Sequence, residues 1–193
     1  VMLDAAKYIR GTYPGRPTPI TSSCQATHVV LLTDGQANNN TSGTQSAIGS
    51  LIGKDCTGDA TDSGEKCGRS LSKFMFEQDQ SSLPDISNVT THTVGFALDA
   101  SGSSSAGIKS FLSDIATNGG GTYNTAESSS ELANAFKSII QTVLSTDASF
   151  VSASAPVNSF NRQDNKDEVY FSVFKPSQSD SWAGNLKRYR LDA

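Results

Sequence analysis

A chain of 193 residues holds one domain, or one domain and part of another. The net charge is −4 and the 15 Lys and Arg are scattered, so there is no clustered basic face for the phosphates of a nucleic acid. No apolar run is long enough to span a bilayer, and the N-terminus lacks the basic region and apolar core of a secretory leader.

In chain order, Val1 to Arg10 puts Met2, Ala5, Ala6 and Ile9 on one helical face, with Gly11 as a stop. Because the chain opens inside that pattern, it reads as a fragment whose leader and first elements lie upstream. A loop with Pro14, Gly15, Pro17 and Pro19 leads to His28-Val29-Val30-Leu31-Leu32, which ends in Thr33-Asp34-Gly35. An unbroken apolar run bounded by turn residues fits a strand buried on both faces of a parallel sheet. Asn38-Asn39-Asn40-Thr41-Ser42-Gly43 reads as loop. Leu71, Phe74 and Met75 indicate a short helix, and the β-branched segment from Val89 to Phe96 a second strand. Ile108, Phe111, Leu112 and Ile115 fall at helical spacing and Asn118-Gly119 closes them. Gly121-Thr122-Tyr123-Asn124 is a short third strand. Ser128-Ser129-Ser130-Glu131 is a capping box opening a helix with Leu132, Phe136, Ile139, Ile140 and Val143 on one face.

Parallel strands are therefore expected at about residues 28–33, 89–96 and 121–125. Strands alternating with helices imply right-handed crossovers and a three-layer α/β domain over residues 1–146, with the first strands of its sheet missing. After Thr146 the pattern changes. Phe150 to Asn158 alternates and breaks at Pro156, Glu168 to Pro176 is strongly strand-like, and Trp182 to Leu191 adds a turn and another strand. With no helix between them, residues 147–193 read as the opening of a second, all-β domain.

Of the three cysteines, Cys56 and Cys67 bracket a polar segment with no apolar core of its own. A disulfide there would be worth about 3 kcal/mol and would place the chain in an oxidising compartment. Two unpaired thiols are the alternative. Zinc is disfavoured by the spacing and by the lack of a nearby histidine. Cys24 is either free or paired with a cysteine outside the fragment.

Two stretches carry a family resemblance. Val29-Val30-Leu31-Leu32-Thr33-Asp34-Gly35 with its Asn-rich loop, then Thr93-Val94-Gly95-Phe96 and Gly119-Gly120-Gly121-Thr122-Tyr123, is similar to the later half of a von Willebrand factor A-type domain. Val169-Tyr170-Phe171-Ser172-Val173-Phe174 with Trp182-Ala183-Gly184-Asn185-Leu186-Lys187-Arg188-Tyr189 resembles the segment that joins such a domain to the β-propeller of PilY/PilC-type type IV pilus tip adhesins. The resemblance implies a partial A-type (Rossmann-like) domain followed by the first antiparallel strands of a propeller-like domain, with the Cys56–Cys67 loop as a family-variable insertion. It also implies that Asp34 is one ligand of a metal-ion-dependent adhesion site for Mg²⁺ or Ca²⁺; Thr33 and Asn38 read as groups that shape the loop, with support of that ligand as the alternative. The Asp-x-Ser-x-Ser turn and the threonine that complete such a site do not occur here. One carboxylate cannot make the cage a hard cation needs, so the fragment alone is expected to hold no metal.

Plainer readings stand beside these. Asp34 also suits a strand-end residue that caps a turn. Asp55, Asp59, Asp62 and Glu65, and likewise Asp164, Asn165, Asp167 and Glu168, miss the calcium-loop spacing and read as solvated loops. His28 and His92 read as structural histidines, since no G-x-S-x-G elbow accompanies them. No phosphate-binding glycine motif is present, and no nucleophile–base pair can be argued.

The expectation is thus not an enzyme but a module of a pilus-associated adhesin and assembly factor. It would support pilus biogenesis, surface attachment and twitching motility. Its partners would be minor pilins at the pilus tip, a host or abiotic surface, and the missing N-terminal part of its own domain, without nucleic acid or a membrane span. Its location would be extracellular, at the cell surface or pilus tip, after export through the periplasm. The alternative is a structural spacer domain without a working metal site.

Overall fold

The elements run α1 (Met2–Ile9), β1 (Thr27–Thr33), α2 (Ser42–Ile52), α3 (Gly68–Glu77), β2 (Val89–Phe96), α4 (Ser105–Asn118), β3 (Gly120–Ala126), α5 (Ser129–Asp147), β4 (Phe150–Ser154), β5 (Glu168–Lys175) and β6 (Ala183–Arg190). The structure is a computed structural model that describes all residues except 23–24, 38–39, 85, 99–104, 148–149, 155–167, 176–182 and 191–193. Cys24, Asn38, Asp164, Asn165, Asp167 and Trp182 lie outside the described residues. The chain divides into two compact units, Val1–Ile139 and Ile140–Ala193, with the division inside α5.

In the first unit β1, β2 and β3 form a parallel sheet in that order, as the strand–helix alternation predicts. Pairing of β1 with β2 is unbroken from Thr27 against Val89 to Thr33 against Gly95. Strands β2 and β3 pair in parallel with a register shift between Thr91 and Thr93.

The period-two alternation sorts the side chains onto two sides of the sheet. Val29 and Leu31 of β1, with Val89, Thr91 and Thr93 of β2, face one side. There Val29 and Val89 join Leu3, Ala6 and Ile9 of α1, Ile48 of α2 and Leu71 and Met75 of α3 in one apolar cluster. Leu31 joins Ile108, Phe111, Leu112 and Ile115 of α4 in a second. Two hydroxyls fasten these layers: Thr93 Oγ1 donates to the Leu112 carbonyl at 2.9 Å, and Ser72 Oγ to the Ile115 carbonyl at 2.7 Å. At Gly120 the chain leaves α4 with φ of 65°, and a Cβ would run into the Phe76 ring, so glycine is required.

The other side carries His28, Val30 and Leu32 of β1 and Thr90, His92 and Val94 of β2. Helices α1 to α4 belong to the first side. On this second side His92 and Val94 of β2 are buried, whereas Val30 is 37% and Leu32 46% exposed on β1. The expectation that β1 is buried on both faces is corrected here. Among the described residues it is an edge strand, and its second face is exposed at Val30 and Leu32.

Two further differences from the sequence reading are local. Helix α2 occupies a stretch that polar composition disguised. Thr41 caps it by accepting the Thr44 amide at 3.3 Å, and Gly53 ends it in the left-handed region with φ of 73°. In α5 the capping box forms with a shift: Ser128 Oγ accepts the Glu131 amide at 3.3 Å, while Glu131 Oε2 accepts the Glu127 amide at 2.8 Å. Ile140, expected on its apolar face, is exposed, and Ala135 stands on that face instead.

In the second unit β4, β5 and β6 form an antiparallel sheet. Pairing runs from Phe150 against Phe174 to Ser154 against Tyr170, and from Glu168 against Arg190 to Lys175 against Ala183. Phe171 and Tyr189 meet edge to face with ring centroids 5.5 Å apart, a favourable aromatic pairing across two strands.

Candidate functional site

Open α/β sheets bind ligands beyond the carboxyl ends of their strands. At that edge β1 turns through Thr33-Asp34-Gly35. The Thr33 hydroxyl closes the turn by donating to the Gly35 carbonyl at 3.0 Å and accepting the Gly35 amide at 3.3 Å. Its proton and one of its two lone pairs are used inside the turn, and Asp34 is left exposed at the tip. Thr33 thus shapes the loop, and Asn38 lies outside the described residues.

Beside the turn is a cleft of about 350 Å³. Thr33, Asn40, Thr44 and Lys66 contribute its polar margin, and Leu71 and Phe111 its apolar wall. Thr33 and Gly35 line it, whereas Asp34 between them does not. Asn40 Nδ2 donates to the Lys66 carbonyl at 2.7 Å, and its Oδ1 is buried without a partner.

The segment closed by Cys56 and Cys67 packs against this loop. The two sulfurs are bonded at 2.01 Å with Cα atoms 4.8 Å apart, so the pairing expected from the loop's composition is present. The acidic residues in and beside it each have a protein donor, Glu65 taking Arg69 Nη1 at 3.1 Å. Asp55 accepts the Thr57 amide at 2.9 Å and hydroxyl at 2.8 Å, and the Thr57 amide bond leads in holding its carboxyl below the usual carboxylate value. Asp59 accepts the Ser70 amide at 3.0 Å near the start of α3. Asp62 accepts the Gly64 amide and the Gln36 side chain, each at 2.8 Å. Gln45 reaches across to the Ser63 carbonyl at 3.3 Å. Gly64 sits so tightly on the Ala37 carbonyl that a Cβ would overlap it. This loop is a clasp on the Gln36–Gln45 stretch.

Among the described residues no three His, Cys, Asp or Glu side chains converge as metal ligands would. Asp34 has no second carboxylate beside it there, and the Thr33 hydroxyl is engaged. The residues present therefore do not by themselves fit Mg²⁺ or Ca²⁺, which take six or more oxygens.

One association escaped the sequence reading. His28 and His92, read as separate structural histidines, meet with Nδ1 of the first 3.2 Å from Nε2 of the second. His92 Nδ1 in turn lies 3.1 Å from the Thr122 amide. Only strand register brings them together: His28 pairs with Thr90, and His92 follows two residues on, on the same side. No described helix is long and apolar enough to cross a membrane, and the disulfide is the chemistry of an oxidising compartment. In comparisons with family models, curated proteins and solved structures, nothing matches this chain.

Proposed function

We propose that this chain is part of a type IV pilus-associated adhesin and assembly factor of the PilY/PilC kind, joining the later half of an A-type domain to the first strands of a β-propeller. The carrying observation is the Thr33-Asp34-Gly35 turn at the carboxyl end of a parallel strand, in an α/β unit followed along the chain by an antiparallel one. The outer edge of β1 has no strand partner among the described residues, and there the remaining strands of such a domain would pair. In the complete domain Asp34 would be one of several oxygen ligands for Mg²⁺ or Ca²⁺. Minor pilins and a host or abiotic surface are the partners that go with this reading, as are pilus assembly, attachment and twitching motility. The disulfide supports export through the periplasm to the cell surface or pilus tip.

Calorimetric titration of the full-length protein with Mg²⁺ and with Ca²⁺ tests the reading. Asp34→Ala should weaken ion binding and metal-dependent attachment while the fold survives, because an exposed strand-end side chain carries little packing. Equal binding by both proteins, or none by the wild type, favours the second reading, a spacer domain of a bacterial surface protein. The engagement of Thr33 within its own turn is the observation on that side.

A further inference from the structure

The loop that follows α1 is folded back on the helix. The chain reverses at Gly11, in the left-handed region with φ of 68°, and the Thr12 and Tyr13 amides both donate to the Lys7 carbonyl, at 2.8 and 3.1 Å. Pro14-Gly15 then makes a tight turn, closed by the Arg16 amide on the Tyr13 carbonyl at 3.3 Å, with Gly15 at φ of 71°. Farther on, the Thr18 hydroxyl donates to the Ile9 carbonyl and Ile20 is buried, so the loop is fastened at both ends. Pro17 and Pro19 remove further backbone freedom.

This backbone sets Tyr13 and Arg16 beside Asp4, Ala5 and Tyr8, which share one face of α1 by their i, i+1 and i+4 spacing. The five line an open cleft of about 360 Å³, within the roughly 300–1,000 Å³ of small-molecule sites. It shares no lining residue with the cleft beside the Thr33–Gly35 turn. Tyr8 is 41% and Tyr13 39% exposed, and Arg16 is exposed. Among the described residues, neither phenol nor the guanidinium has a hydrogen bond, ion pair or ring contact. Asp4 is held by Oδ2, 3.2 Å from the Val1 nitrogen, which leaves Oδ1 as an acceptor.

The mixture of groups selects the ligand. A cation would meet the Arg16 guanidinium and an anion the Asp4 carboxylate, so a ligand of either sign is repelled by one side of the cleft. Two phenol rings offer apolar faces, the carboxylate accepts hydrogen bonds, and the guanidinium donates up to five. A pyranose answers all three, with a face of C–H groups and a rim of hydroxyls that each donate and accept. A proline-rich peptide would use the rings and leave both charges without partners.

We propose that this cleft is a binding site for a neutral pyranose, whose C–H face lies on the tyrosines and whose hydroxyls engage Asp4 and Arg16. The fastened loop holds these groups in place before the sugar arrives, so little ordering is required on binding.

Saturation-transfer NMR of the full-length protein with the methyl glycosides of glucose, galactose, mannose and N-acetylglucosamine is the test. At least one should bind with a Kd of about 1 mM, and Tyr13→Ala and Arg16→Gln should each weaken it about tenfold. Both side chains are exposed, so the variants should keep the wild-type fold by circular dichroism. Asp34→Ala, outside this cleft, should bind the sugar as the wild type does, whatever its effect on metal. No binding of any of the four at about 10 mM, or binding that either variant retains unchanged, overturns the proposal. So does tighter binding of methyl glucuronide, tetramethylammonium or decaproline than of every neutral glycoside.

Discussion

Strands β1 and β2 run side by side in unbroken register, yet their burial inverts what their compositions suggest. β1 is the apolar one, and its Val30 and Leu32 are substantially exposed; β2 is half threonine and histidine, and its Thr91, His92 and Thr93 are buried. Place in the sheet decides this, not residue type. A central strand has a neighbour on each edge, and β2 is buried on both faces, so its polar side chains must find partners inside. Thr93 finds the Leu112 carbonyl and His92 the Thr122 amide. An edge strand is buried only where another element lies over it, whatever its composition.

The widest gap between the strands should come from placing a carboxylate on the shared side of each. Val94→Asp buries an unpaired charge and should cost several kcal/mol, enough to unfold a marginal domain. Leu32→Asp on the neighbouring strand should cost about 1 kcal/mol or less. Urea denaturation of both variants checks this, and equal losses would break the comparison. Removing the clasp beyond β1 comes next. Cys56→Ser with Cys67→Ser should lower stability by about 3 kcal/mol. Exchange protection should fall first around Gln36 to Gln45, not along β2, and a uniform loss would contradict the local role assigned to the loop. The finest test pairs two threonines. Thr93→Val removes a buried bond to α4 and should cost about 1 kcal/mol. Thr33→Val frees only a turn at the surface and should cost about half as much, read from thermal midpoints.

Much of the α/β unit is legible in the sequence because its signals are local. The β-branched run of β2 matches its observed bounds, and the cysteine bridge was readable from a polar loop that needed a staple. Helix α2 was not, since Ser42, Gly43, Thr44 and Gly49 give it weak intrinsic preference and packing of Ala47, Ile48 and Leu51 supplies the rest. The exposure of Val30 and Leu32 depends on which neighbour covers them, information that no window around β1 contains. The histidine pair is the extreme case, because its two members are 64 residues apart and meet only through the register that the intervening helices impose. At the strand end, Asp34 could be placed from the sequence, but the closing of Thr33 on its own turn could not.

The clasp has a mechanical consequence. If the chain is pulled from its two ends, the residues between Cys56 and Cys67 cannot extend, because the bond holds their Cα atoms 4.8 Å apart. A fully stretched chain gains about 3.5 Å per residue, so the bridge withholds roughly 35 Å of length from any extension of this segment. The loop that presses Gly64 onto Ala37 would thus be shielded from tension even after the strands around it had parted.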